Sequence, residues 1–142
     1  GVGGGQQVGY VLSGAVTRAN LWTGTAASRI ELHQPAWIRS AAYDTNGTFQ
    51  VGQVQTGNVF RASLWSGSAD SWIDLHALLP EGFSESSAGG VFSDGNTLSI
   101  VGWGRNAVTD DYEALLWTSP IPTPGVATLF GIAGIFVARR RR

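Results

Sequence analysis

Two histidines are the only imidazoles in the chain, and each stands two residues after an acid: Glu31 before His33, Asp74 before His76. Acid and imidazole at such spacing could supply half of a metal site, or the base that activates a hydroxyl nucleophile. Their contexts match, however: Arg29-Ile30-Glu31-Leu32-His33 and Trp72-Ile73-Asp74-Leu75-His76 lie 43 residues apart. A catalytic pair seldom falls on equivalent positions of a repeat, so the histidines read as architecture. Asp44-Thr45-Asn46-Gly47-Thr48 opens like a calcium loop, but Gln55 stands where the terminal bidentate Glu is required, and the stretch reads as a hairpin turn. Asp110, Asp111 and Glu113 cluster before a strand and read as a solvated loop. Ser66-Gly67-Ser68 has no His and Asp at partner spacing, and Gly102-Trp103-Gly104 has no helix after it to hold a phosphate. No catalytic residue, metal ligand or cofactor is nominated, and the chain is not expected to be an enzyme.

The elements that carry these residues repeat. Val8-Gly9, Val51-Gly52 and Val101-Gly102 recur, as do Asn20-Leu21-Trp22, Ser63-Leu64-Trp65 and Leu115-Leu116-Trp117. The first interval is 43 residues for both markers and the second is 50 or 52, which places an insertion in the loop 78–87. Asn46-Gly47 and Asp94-Gly95-Asn96 stand before the next Val-Gly, where tight turns want residues that tolerate positive φ. Short strands are expected at 7–12, 18–22, 29–32, 38–43, 49–54, 59–65, 72–75, 90–92, 98–103 and 113–117. Four strands in a period of this size make a propeller blade. The fold class expected is therefore all-β, with repeated four-stranded units forming a partial β-propeller; a β-sandwich is the competing architecture. The repeat region occupies 1–118, with units at about 6–48, 49–97 and 98–117. Trp22, Trp65 and Trp117 would supply bulk between neighbouring sheets. Since so few units cannot close a ring, further N-terminal blades are expected, and the absence of a leader before Gly1 reads the same way.

Asn46-Gly47, Gln50-Val51-Gly52, Arg61-Ala62-Ser63-Leu64-Trp65 and Asp74-Leu75, in that order, resemble the extracellular HAF-type repeat. That resemblance covers most of 6–117 and implies an extracellular setting. It implies no reaction, because the family is defined by its repeat.

Composition narrows the partners. The chain has no Cys and no Lys, and all nine of its positive charges are Arg. The five outside the C-terminal cluster, Arg18, Arg29, Arg39, Arg61 and Arg105, are scattered singly against ten acids. No basic stripe exists to neutralise phosphates, so nucleic acid is excluded as a partner. Disulfide and thiolate chemistry are excluded with it.

The last residues follow other rules. Pro122-Thr123-Pro124-Gly125 precedes thirteen residues, 126–138, that contain no charge, and Arg139-Arg140-Arg141-Arg142 ends the sequence. A helix with no polar face wants lipid. Thr123 suits an N-cap and Pro124 a first helical position, so a membrane helix with its Arg cluster is expected over 126–142, after a linker and motif at 119–125. The run reaches only about 20 Å against a hydrocarbon core of roughly 30 Å, which makes it a weak anchor. The arginines determine topology: they stay cytoplasmic and the repeats lie outside. Proline motif, short apolar helix and Arg cluster together resemble the PEP-CTERM sorting signal of exported bacterial proteins, with Pro-Thr-Pro-Gly in place of Pro-Glu-Pro. The resemblance implies an exosortase-like processing enzyme as partner, membrane anchoring during sorting, and then a cell-surface or extracellular location. An uncleaved single-pass anchor is the competing reading.

Two functions are compatible with this pattern. One is an exported, repeat-built surface or matrix protein with a binding or structural role; the other is a carbohydrate-binding propeller module of a secreted enzyme. Trp37, Trp72 and Trp103 are the candidate ligand platform for extracellular polysaccharide, because sugar recognition needs flat accessible rings beside polar groups.

Overall fold

Tight turns between short β-prone segments dictate the local pairing. Ser13 pairs with Val16 across Gly14-Ala15, and Thr56 with Val59 across Gly57-Asn58, where Gly14 and Gly57 take positive φ. The computed structural model describes residues 1–121, and their regular structure is β-strand apart from short 3-10 turns. The first sheet runs in the order β1 (Val2–Gly3), β2 (Gln6–Ser13), β3 (Val16–Trp22), β4 (Ile30–Glu31). The second runs β5 (Arg39–Thr45), β6 (Gln50–Thr56), β7 (Val59–Trp65), β8 (Ile73–Asp74). The third has β9 (Phe83–Ser93), β10 (Thr97–Asn106) and β11 (Tyr112–Pro120), with β10 in the middle. All pairings are antiparallel, and no barrel closes among the described residues.

The sheets are phased differently from the expected units. The strand at 38–43, expected to close the first unit, opens the second sheet instead, pairing with β6. The Asn46-Gly47 turn is the reason. The Asn46 side-chain oxygen accepts from the Thr48 and Phe49 amides at 3.1 and 2.9 Å, Gly47 takes φ 94°, and a strand entering so tight a turn must pair with the one leaving it. The same shift applies to 90–92, which lies inside β9, the first strand of the third sheet. Part of the stretch expected as loop, 83–87, is strand as well.

The second and third Val-Gly markers have a steric cause that the first, at Gly9, does not share. At Gly52 a Cβ would collide with the Ala41 carbonyl oxygen, and at Gly102 with that of Ser87, because β5 and β9 bulge toward the middle strand there. Only glycine lets the bulged backbone approach.

Two buried layers hold the three sheets together. Between the first and second sheets lie Val8, Ala19, Leu21, Leu32, Trp37, Ala42, Val54 and Trp65. Between the second and third lie Phe49, Val51, Leu64, Leu75, Leu98, Ile100, Leu115 and Trp117, with Ala62 and Ala88. Trp65 and Trp117 are fully buried, filling the layers as expected, whereas Trp22 is half-buried. No helix among the described residues is long and apolar enough to cross a membrane. The sorting motif Pro122 to Gly125, the apolar run and Arg139 to Arg142 lie outside the described residues.

Candidate functional site

Three groups of residues invite chemistry: the histidines with their acids, the acidic turns, and the aromatics that reach the surface. The histidines are locked to the neighbouring sheet. His33 follows β4, and its Nδ1 lies 2.9 Å from Ser40 Oγ on β5, which also accepts from the Ala19 amide of β3 at 2.9 Å. One repeat later, His76 Nδ1 lies 2.8 Å from Ser86 Oγ on β9, which accepts from the Ala62 amide at 3.0 Å. Each hydroxyl accepts a backbone amide proton and shares a second hydrogen bond with the imidazole, which a neutral ring completes in either tautomer. The electrostatics agree: burial first, then Arg18 beside His33 and Arg61 beside His76, push both imidazoles below their ordinary pKa, with Glu31 and Asp74 opposing. The acids themselves are committed to arginine. Arg18 holds Glu31 at 3.1 Å, and Arg61 holds Asp74 at 2.6 Å. Serine, histidine and acid therefore stand near one another without the geometry of a relay, because both hydroxyls are buried and already bonded to the preceding sheet. They form a latch between sheets.

The acidic turns are likewise occupied. Asp44 accepts the Val91 amide at 2.9 Å, joining β5 to β9. Asp94 accepts the Asn96 and Thr97 amides, and these backbone donors lower its pKa. Asp110 pairs with Arg105 at 2.6 Å, and the buried Glu113 accepts from Asn106 at 2.8 Å. In the Ser66–Ser68 stretch the amides of Ser66 and Gly67 are taken by the Ser71 hydroxyl and the Gln50 side chain. Among the described residues no three His, Cys, Asp or Glu side chains gather as a metal site would need.

Trp37, Trp72 and Trp103 do not assemble into one platform. Trp37 is buried, with its ring 5.0 Å from that of Trp72 and 6.3 Å from that of Trp65. Trp72 is half-buried over the same layer and donates its indole N–H to Ser63 Oγ at 2.9 Å. Chain connectivity explains the packing: Trp37 lies on the crossover into β5 and roofs the first layer. Trp103 alone reaches solvent, on β10, in edge contact with Tyr112 at 5.1 Å.

A different set of aromatics frames a cleft. Tyr10 of β2 and Thr17 of β3 face Arg39 and Tyr43 of β5, Gln53 of β6 and Phe60 of β7 across a space of about 210 Å³. The tyrosine rings and Arg39 are exposed, and Phe60 is half-buried. Tyr43 has its pKa raised, mainly by burial and further by Tyr10, so it is a neutral donor. Among the described residues the polar ends of Tyr10, Thr17, Arg39, Tyr43 and Gln53 have no hydrogen-bond or ion-pair partner, whereas Arg18, Arg61 and Arg105 each hold a carboxylate. A fork-shaped cation, two phenols and an amide thus converge, uncommitted, beside flat rings. The space is smaller than a drug-sized pocket and suits one ring of a longer chain. Sequence reasoning missed this cleft, since its residues lie on five strands with no common spacing. One signal was available: Tyr10, Gln53 and Trp103 each follow the Val-Gly marker, so chemistry varies where the framework does not.

No family model, curated protein or solved structure matches this chain.

Proposed function

We propose that the chain is the repeat region and sorting tail of an exported bacterial surface or matrix protein that binds acidic polysaccharide without catalysis. One observation carries the binding reading: the uncommitted Arg39, Tyr10, Tyr43 and Gln53 converge on an open cleft flanked by aromatic rings. Arginine matches a carboxylate with two parallel hydrogen bonds, phenols donate to hydroxyl and ring oxygens, and the rings stack on the apolar face of a pyranose. A uronate residue presents all three features. The architecture proposed is a partial β-propeller; its support is that three sheets follow in sequence order, each packed on the next through equivalent residues.

Export rests on the sequence. The order of Pro122 to Gly125, an uncharged run and Arg139 to Arg142 resembles a PEP-CTERM signal, and the HAF-type repeat pattern is an extracellular one. In this reading a membrane helix at 126–142 anchors the chain until an exosortase-like enzyme releases it to the surface. The second reading, a carbohydrate-binding module attached to a secreted enzyme, is supported by the same cleft and differs in what it is attached to.

Co-sedimentation with an insoluble polyuronate and with a neutral glucan tests the binding reading. Retention by the polyuronate alone, lost in Arg39→Ala and weakened at high salt, is the expected result. Equal retention by both polymers, or retention unchanged in Arg39→Ala, refutes it.

A further inference from the structure

The cleft lies on a seam between two sheets. Tyr10 and Thr17 form one wall from the first sheet, and Arg39, Tyr43, Gln53 and Phe60 form the other from the second. Ser40 lines the same space, and it is also the hydroxyl through which the two sheets are latched. Its Oγ accepts the Ala19 amide of β3 at 2.9 Å and is hydrogen-bonded to His33 Nδ1 at 2.9 Å. Ala19 is tied in turn to the segment that carries His33, since its carbonyl accepts the Leu32 amide at 2.8 Å. The spacing of the two walls is therefore held by bonds that converge on Ser40, Ala19 and His33. The second latch, Ser86 with Ala62 and His76, joins the second sheet to the third, and no described residue of the third sheet lines the cleft.

Protonation changes what His33 can do in that seam. A neutral imidazole meets Ser40 as donor or acceptor, whereas the charged ring is a donor only. It also brings a positive charge into a residue that is 8% exposed. The charged groups facing it are Arg18 of β3 and Glu31 of β4, held to each other at 3.1 Å. Trp37 of the crossover meets the ring edge-on at 5.8 Å, and Trp37 and Ser40 carry no charge. Arg39 adjoins Ser40 in β5 and is exposed in the cleft. Burial and then Arg18 disfavour the imidazolium, and Glu31 offsets them only in part.

We infer that His33 gates the cleft: the seam between the first two sheets stays closed while the imidazole is neutral, and protonation parts the walls and weakens ligand binding. The ligand concerned is the acidic polysaccharide of the reading above, on which this part rests; the opening of the seam needs no ligand. An open seam returns His33 to water and to its ordinary pKa of about 6.5, so acid favours the open form. The cleft is thus closed above about pH 6.5 and opens as pH falls toward the lower value of the closed form. A polymer held across both walls at neutral pH is released where the medium turns acid.

NMR of the isotope-labelled full chain between pH 7 and pH 5 tests the gate. Without ligand, the ring signals of Tyr10 and Tyr43 should follow the His33 titration, and the exchange protection factor of the Ala19 amide should fall along the same curve. His33→Asn keeps a neutral hydrogen-bonding group near Ser40 and does not titrate, so both responses should vanish there and persist in His76→Asn. Trigalacturonate is the ligand probe, because its carboxylates titrate near about pH 4 and stay ionised throughout. Wild-type affinity for it should fall at least about fivefold from pH 7 to pH 5, while that of His33→Asn stays level. Tyrosine signals and Ala19 protection that ignore the His33 titration in the wild type overturn the inference, whether or not the sugar binds. Binding that tightens in acid also overturns it, since the imidazolium would then be attracting the carboxylate rather than opening the seam. No binding at pH 7, with the wild-type seam responses present, refutes the polysaccharide reading and supports the opening of the seam.

Discussion

Replacing Ser86 with alanine removes one atom and disturbs two sheets. Its hydroxyl accepts from the buried Ala62 amide at 3.0 Å and is hydrogen-bonded to His76 Nδ1 at 2.8 Å. A net hydrogen bond contributes about 0.5–1.5 kcal/mol, and an orphaned buried N–H costs about 1–3 kcal/mol. Ser86→Ala should therefore destabilise by roughly 2–3 kcal/mol, the orphaned Ala62 amide being the larger part. His76→Ala leaves the amide bonded to Ser86 and removes only the imidazole contact, so about 1 kcal/mol or less is expected. The two should not add. Once Ser86 is gone, His76 has lost its partner, and the double variant should cost little more than Ser86→Ala alone. Urea unfolding followed by circular dichroism measures all three, with an unchanged slope showing that stability and not compactness moved. Ser40→Ala repeats the experiment one layer earlier, where Ala19 and His33 take the corresponding places. The reasoning fails if His76→Ala costs more than Ser86→Ala, or if the two serine variants differ in sign.

Trp65→Ala should cost about 3–5 kcal/mol, the range for emptying a buried tryptophan site, whereas the half-buried Trp22→Ala should cost less than half as much; similar losses would contradict the packing described. Because both histidines hold pKa values below about 6.5 in the fold, the unfolded chain binds more protons, so their contribution to stability is complete above about pH 6.5 and is lost as pH falls toward the folded values. Each contributes a slope of up to about 1.4 kcal/mol per pH unit, which the His33→Ala/His76→Ala variant should abolish; stability that is flat between pH 7 and pH 5 in the wild type speaks against it. Intact mass of the surface-exposed protein should show a C-terminus near residues 120–125, and a product ending at Arg142 would leave an uncleaved anchor as the reading.

The framework was legible because its rules are local. Markers at a 43-residue offset located the strands, and Asn46-Gly47 located a hairpin turn. Sheet membership was harder to read, since the same strand at 39–45 can be the last of one unit or the first of the next, and only its pairing with β6 decides. β9 was hidden for another reason. Ser84, Glu85, Ser86 and Ser87 look like loop, yet pairing with β10 on one side and packing on the second sheet on the other hold them extended. The tryptophans misled as ligand candidates because aromatic type does not reveal burial: Trp37 roofs a core, while Tyr10, Arg39 and Tyr43, which the spacing never joined, share the cleft.

Titration of the isotope-labelled protein with a uronate oligosaccharide, followed by amide and side-chain NMR shifts, addresses the central claim most directly. The account expects saturable shifts centred on Tyr10, Arg39, Tyr43 and Gln53, with the Arg39 guanidinium protons moving furthest and the neutral analogue causing none. Shifts centred on Trp103 and Tyr112, or none at millimolar ligand, would contradict it.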